Sequence, residues 1–269
     1  MQTTFKTNRN QFRLALFSVL LLLATSCKKD DNPNPGPQPV PVTKLQEFKD
    51  GEDFIRFQYN TDGSLKKATV KNDINTDGDV VDFTITYNEA KVITRVNSSS
   101  GEELVPVYEN NVLTRADIFM AGERTGYTNY QFQNGYMRKA TIYISDGNDF
   151  QPILEFQYDY NASGNVAQGI ILIGTDVPGQ MVRAGHVDLQ YDNKNNPLFA
   201  HKDFLALLWQ GPSKNNVLTE TIFDSNLVLE DKNVYTYTYK ANGFPEKADV
   251  VSGIPGQPGS TSTVGYIYQ

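Results

Sequence analysis

Residues 235–251 read YTYTYKANGFPEKADVV. Tyr235, Tyr237 and Tyr239 alternate with threonine, so three rings share one face of an extended chain. Asn242-Gly243 follows, at a point where a tight reversal needs positive φ. A second alternating arm then places Ala248 and Val250 on one face and Lys247 and Asp249 on the other. The stretch is a β-hairpin with one apolar and one polar face.

The pattern recurs upstream. Phe57-Gln58-Tyr59 leads through NTDG to LKKATV, and Tyr130-Gln131-Phe132 leads through QNG to MRKATIYI. Phe156-Gln157-Tyr158 leads through DYNASG to VAQGIIL. Looser copies start at Ile85-Thr86-Tyr87, at Tyr108 and at Leu189-Gln190-Tyr191. Gly63, Gly135, Gly164 and Gly243 occupy equivalent turn positions. Seven hairpins predict roughly fourteen strands in an all-β antiparallel meander. An open sheet that long would leave two exposed edges, so it is expected to close into a wide up-and-down barrel or to curve strongly. One helix interrupts the pattern near residues 197–209, PLFAHKDFLALLW, with Pro197 at its start and Gly211-Pro212 beyond its end. Leu198, Phe204, Leu205, Leu208 and Trp209 form a broad apolar face, expected to be largely buried as a plug or lid.

The amino-terminal segment carries an address. Lys6, Arg9 and Arg13 precede an apolar run, LALFSVLLLLA, over residues 14–24. That run is short for a membrane-spanning helix and fits a signal peptide. Leu23-Ala24-Thr25-Ser26-Cys27 resembles a lipobox, which predicts cleavage after residue 26 and lipidation of Cys27. Cys27 is the only cysteine, so the exported domain has no intrachain disulfide and rests on its core. Lys28-Lys29-Asp30-Asp31 resembles the short charged signal that sends Bacteroidetes lipoproteins to the outer face of the outer membrane. NPNPGPQPVPV, residues 32–42, holds five prolines in eleven residues and reads as a semi-rigid stalk. The expected organisation is a signal peptide over 1–26, a lipidated cysteine and stalk over 27–43, and a single repetitive β domain over 44–269.

Charge narrows the partners. Without the three basic residues of 1–26, the chain keeps 21 Lys and Arg against 31 Asp and Glu, a formal charge of −10. A nucleic-acid partner needs the opposite balance, and so do anionic headgroups. The membrane is expected as a partner through the lipid anchor alone.

The candidate sites are few. Asp73, Asn75, Asp77 and Asp79 alternate around Gly78 like the first half of a calcium loop. Thr84 stands where a bidentate glutamate would complete it, and the same residues also suit a plain polar turn. Calcium is the one cofactor the chain suggests. His186 and Asp188 share a strand face, whereas His201 and Asp203 lie on the predicted helix. Tyr235, Tyr237 and Tyr239 form a ladder that, if exposed, suits a sugar or a peptide; half-buried, it is core. No nucleophile elbow, P-loop or dinucleotide fingerprint occurs, so no catalytic residue is named.

The hairpin repeats, YDNKNNPLF (191–199), SKNN (213–216) and YTYTYKANGFPEKA (235–248) together resemble a family of Bacteroidetes surface lipoproteins of unknown function with a porin-like β fold. More distantly they are similar to the YD-type repeats of bacterial surface proteins. The resemblance implies a fold and a cell-surface address, and no activity. A membrane-inserted barrel would need an apolar outer band. Here many strands put Lys, Arg, Asp or Gln opposite the aromatics. The expectation is therefore an outer-membrane lipoprotein, exposed at the cell surface, that binds an extracellular ligand such as a glycan or a protein without catalysis. A carboxylate-based hydrolase of glycan or cell-wall material remains an alternative, as does a structural envelope protein.

Overall fold

The computed structural model describes residues 43–71, 79–147 and 149–269. Sixteen strands run in chain order: β1 (Leu45–Asp50), β2 (Asp53–Tyr59), β3 (Leu65–Lys71), β4 (Val80–Tyr87), β5 (Ile93–Ser98), β6 (Glu102–Glu109), β7 (Val112–Met120) and β8 (Glu123–Gln133). The second half continues with β9 (Tyr136–Ser145), β10 (Phe150–Tyr160), β11 (Val166–Gly174), β12 (Met181–Tyr191), β13 (Val217–Asp224), β14 (Leu229–Tyr239), β15 (Pro245–Ser252) and β16 (Ser260–Tyr268). Each strand pairs antiparallel with its sequence neighbours, and β1 pairs with β16 to close the barrel. The seven hairpins of the repeat are β2–β3 through β14–β15. The two further strands, β1 and β16, form the closing pair. A pair split across the two ends of the domain has no turn between its members and so leaves no hairpin pattern to read.

The repeat acquires a physical meaning at each turn. The Asn60 carbonyl accepts from Gly63 N–H, and Asn60 N–H donates to the Ser64 carbonyl. The same pair of bonds closes the turns at Asn161–Asn165 and Lys240–Phe244. Gly63, Gly164 and Gly243 take φ of 89°, 81° and 81°, where a side chain would strain the backbone. The register shifts at this end of all seven strand pairs of the repeat, at Tyr59, Tyr87, Tyr108, Phe132, Tyr160, Tyr191 and Tyr239. A bulge there bends the strand and sharpens its twist. With Tyr268 of β16, every even-numbered strand carries an aromatic residue at its last or next-to-last position, and together the eight form a collar at one end of the barrel.

The Lys/Arg-Ala pair of the repeat is also explained. Ala68, Ala140 and Ala248 pair across from Phe57, Tyr130 and Tyr237 and are sealed from water. A small residue beside each ring leaves room for it in the lumen. The basic neighbours point the other way, into an outer wall of cross-strand polar pairs. Lys67 meets Asp82 at 2.7 Å, Lys139 meets Glu155 at 3.1 Å, and Arg124 meets Asp117 at 2.5 Å. The wall is thus apolar inside and polar outside.

A lumen of sixteen strands is too wide for side chains alone to fill. The chain between β12 and β13 enters it at the collar. Pro197–His201 forms a 3-10 turn, and Lys202–Leu207 forms α1, a single short helix. Together they span 197–207, where the sequence places its one helix near 197–209. Its first turn tightens behind the Asn196 cap, and Trp209 leaves the helix at φ 63° so that its indole N–H reaches Thr128 Oγ1 at 2.9 Å. Trp209 keeps part of its surface in water, and Leu198, Phe204, Leu205 and Leu207 carry the sealed face. Tyr130 and Tyr158 donate to the carbonyls of Leu207 (3.1 Å) and Trp209 (2.6 Å), so strands β8 and β10 hold the end of the helix. Gly211 lies against Tyr158, where an added Cβ would come within 2.9 Å of the ring.

The plug is therefore expected to carry a large share of the stability. Leu207→Ala, at a fully buried site, should cost about 2–5 kcal/mol in denaturant unfolding. Lys202→Ala on the same helix, exposed, should stay within about 0.5 kcal/mol. Equal small effects would show that the helix is not part of the cooperative core.

Candidate functional site

The barrel has two unlike ends. At the collar, α1 and the chain around it close the lumen. SKNN, residues 213–216, stitches this segment to the wall. Ser213 Oγ accepts from Val166 N–H at 2.9 Å and meets the Tyr191 hydroxyl at 2.9 Å. Asn165 Oδ1 accepts from Asn215 N–H at 2.7 Å, and its amide donates to Asn215 Oδ1 at 2.6 Å. Asn216 donates twice to Asp192, which also takes the Tyr239 hydroxyl. The chain enters the barrel at this same end. Asn242 donates to Thr43 Oγ1 at 3.0 Å and Gln269 N–H to the Lys44 carbonyl at 3.1 Å.

At the opposite end nothing comparable fills the lumen among the described residues. Inward residues beside the plug, such as Met137, Val166, Val187 and Val217, have no exposure at all. Inward residues toward the open end, including Phe48, Ile55, Ile144, Ile173 and Ile222, keep part of their surface in water. The mouth is apolar over most of its circumference.

One sector differs. Alternation places Tyr235, Asn233 and Asp231 of β14, Ser252 of β15 and Asp50 of β1 on the inner face. Glu220 of β13 also points inward and is only 2% exposed. Its Oε2 accepts from Asn233 Nδ2 at 2.9 Å and from the Tyr235 hydroxyl at 3.3 Å, while Oε1 has no partner. Burial pushes this carboxyl up to about 7. Asn233 and Tyr235 oppose the rise, and the charge of Asp231 adds to it. Glu220 is the site residue the sequence reading missed. The strand VLTETIFD shows an inward glutamate only once β13 is known to hang on the far side of the plug.

The sequence candidates are scattered. Tyr235, Tyr237 and Tyr239 stack in sequence, with ring centroids 6.3 and 5.6 Å apart, on the inner wall. Tyr235 is buried and the other two half-buried, so the ladder lines the lumen. His186 is on the outer wall, stacked on Phe223 at 4.5 Å, with Nε2 4.0 Å from Asp188. His201 is inside, stacked on Phe57 at 4.7 Å. Its Nε2 is 2.9 Å from the Tyr59 hydroxyl, and that hydroxyl donates to the Leu45 carbonyl, so Nε2 carries the proton. The two histidines do not meet. Among the described residues no group of three metal-ligating side chains assembles. Asp79 is exposed at the start of β4, whereas Asp73, Asn75 and Asp77 of the candidate calcium loop lie outside the described residues. Cys27 does as well.

No family model matches this chain, and no curated protein does. Solved structures do. A porin-like protein from Bacteroides uniformis superposes with a TM-score of 0.57 at 15% identity, over 85% of this chain and 98% of that one. A porin-like protein from Bacteroides vulgatus gives a TM-score of 0.45 at 12% identity, over 84% and 99%. At such identity the first likeness is one of fold, and it is the porin-like β fold that the hairpin repeats imply.

Two buried groups make opposite demands on pH. Burial lowers His201 to about 4, below its ordinary 6.5, so the folded state resists its protonation. Stability therefore climbs as pH rises from about 4 to 6.5. Glu220, raised from 4.5 to about 7, favours the folded state while protonated, and that contribution is lost as pH rises through about 7. Each contribution is roughly 3 kcal/mol, so between about pH 4.5 and 6.5 they nearly cancel. The wild-type melting temperature should be almost flat there. Glu220→Gln should climb with pH across the window and exceed wild type at pH 8; His201→Gln should fall instead. Parallel profiles for all three would refute both assignments.

Proposed function

We propose that the protein is a lipid-tethered binding protein of the bacterial outer surface, without catalysis, which presents the open mouth of its barrel to an extracellular ligand. The observation that carries this reading is the arrangement of the two ends. The chain from the stalk enters at Thr43–Leu45, beside the plug. A tether there holds the closed end toward the anchor and turns the open mouth outward. The outer wall supports the same reading. Arg56, Lys67, Asp82, Asp117, Lys139 and Asp249 stand where a lipid-facing barrel needs an apolar band. Such a wall belongs in water, and a barrel that does not insert needs an anchor of another kind. The lipobox at Cys27 supplies one, at about 0.8 kcal/mol per buried methylene.

The hydrolase alternative asks for a neutral acid beside an ionised carboxylate in an open cleft. Glu220 is such an acid, but it is sealed too deeply for a polymer chain to lie across it.

In cells, Cys27→Ala should release the protein from the membrane fraction. Protease added to intact cells should degrade the wild type while leaving periplasmic markers whole. Acylated protein fully protected in intact cells would overturn the outward-facing reading, and wild-type protein that stays soluble would overturn the tether.

A further inference from the structure

We infer that the sector of the mouth formed by β13, β14, β15, β16 and β1 is a binding site for an organic cation, a primary ammonium group carried on an apolar body. This rests on the reading of the protein as a binder at its open end and names the chemistry of the ligand.

Four observations converge. First, Glu220 points into the lumen, sealed from water, with Oε1 lacking any hydrogen-bond donor. A buried carboxylate oxygen without a partner costs free energy unless a donor arrives. Second, further negative charge gathers at the same place. Asp231 is near enough to act on the Glu220 carboxyl, and Asp50 near enough to act on the Tyr235 phenol. No ion pair among the described residues engages Glu220, Asp231 or Asp50. Glu220, Asp231 and Asp50 thus face the lumen with no basic ion-pair partner on any of them among the described residues.

Third, the sector is graded. Ser262 of β16 is exposed, Ser252, Asn233 and Asp231 are half-buried, and Glu220 and Tyr235 are buried. A polar track thus leads from the rim to the unpaired oxygen between otherwise apolar walls. Fourth, the rim above it is apolar. Leu227 is 58% exposed and Val228 60%, on the turn joining β13 to β14. Leu227 holds this position at φ 65°, a conformation that disfavours its side chain. An ammonium head can approach Glu220 and Asp231 as charged donor while its apolar body stays against Ile222 and the rim. A neutral alcohol would satisfy Oε1 but leave the acids uncompensated. A multivalent metal would want three converging ligands, which do not assemble here.

The test is calorimetric titration of the purified protein with hexylammonium at pH 7.5, beside hexanol as the neutral body of equal length. Hexylammonium should bind and raise the melting temperature, with hexanol at least ten-fold weaker. Glu220→Gln keeps the shape and should weaken hexylammonium at least ten-fold with little change for hexanol. Asp231→Asn, in the half-buried layer, should weaken it several-fold. Absence of binding at millimolar hexylammonium, equal affinity for the two probes, or unchanged affinity in folded Glu220→Gln would each overturn the inference. The measurement uses purified protein, so a buried address in cells would sink the surface reading and leave this site standing.

Discussion

Sixteen strands enclose more space than their own side chains can fill, and the rest of the structure answers that constraint. Barrels of eight strands close on a packed interior, whereas wider ones leave a channel or admit a plug. Here the plug is the chain between β12 and β13. Its reach is short, so the wall comes to meet it. Phe57 and Tyr59 close on His201 from one side, and Tyr130, Phe156 and Tyr158 close on Leu207 and Trp209 from the other. The collar aromatics, each lodged at a bulge, draw the even strands inward at that end. Stability in this barrel comes from rings, a short helix and tyrosine hydroxyls on backbone carbonyls.

The same constraint sorts polarity. Since the lumen is where apolar groups are buried, the outer wall is left to pairs such as Lys67 with Asp82 and Lys247 with Asp249. This reverses the arrangement of a barrel that conducts water through a membrane, where the lipid side is apolar and the lumen polar. A porin-like outline therefore says little about what surrounds the wall; the sign of each alternating face says more. Within that apolar lumen, Glu220, Asp231 and Asp50 form an inner sector that breaks the rule, and sequences break local rules chiefly where they act.

Much of this was legible in the sequence because the repeat is local. Alternation, Asn-Gly turns and the Lys/Arg-Ala arm are each complete within about twenty residues, and each marks a hairpin. The closing pair was illegible because Leu45–Asp50 and Ser260–Tyr268 meet only across the whole domain. The choice between a barrel and a curved sheet depended on that pair alone. The plug was recognisable by its apolar face, but the way it ends was not. Trp209 ends the helix to reach Thr128, a contact set by tertiary geometry. Glu220 sits in a strand whose alternation gives it no special mark. Its inward aim, its neighbours Asn233 and Tyr235 and its lack of a cation follow from β13 and β14 lying side by side at the mouth.

The ring of strands is uneven in strength. Most neighbours share four to eight residue pairs, but β5 and β6 are joined by two, Val96 with Leu104 and Asn97 with Glu103. Pro106, just beyond, has no N–H to give to a ladder. A hoop under thermal agitation parts at its thinnest link, and a barrel parted once is a curved sheet with two free edges. The curved sheet that the sequence left open thus differs from the closed barrel by one seam.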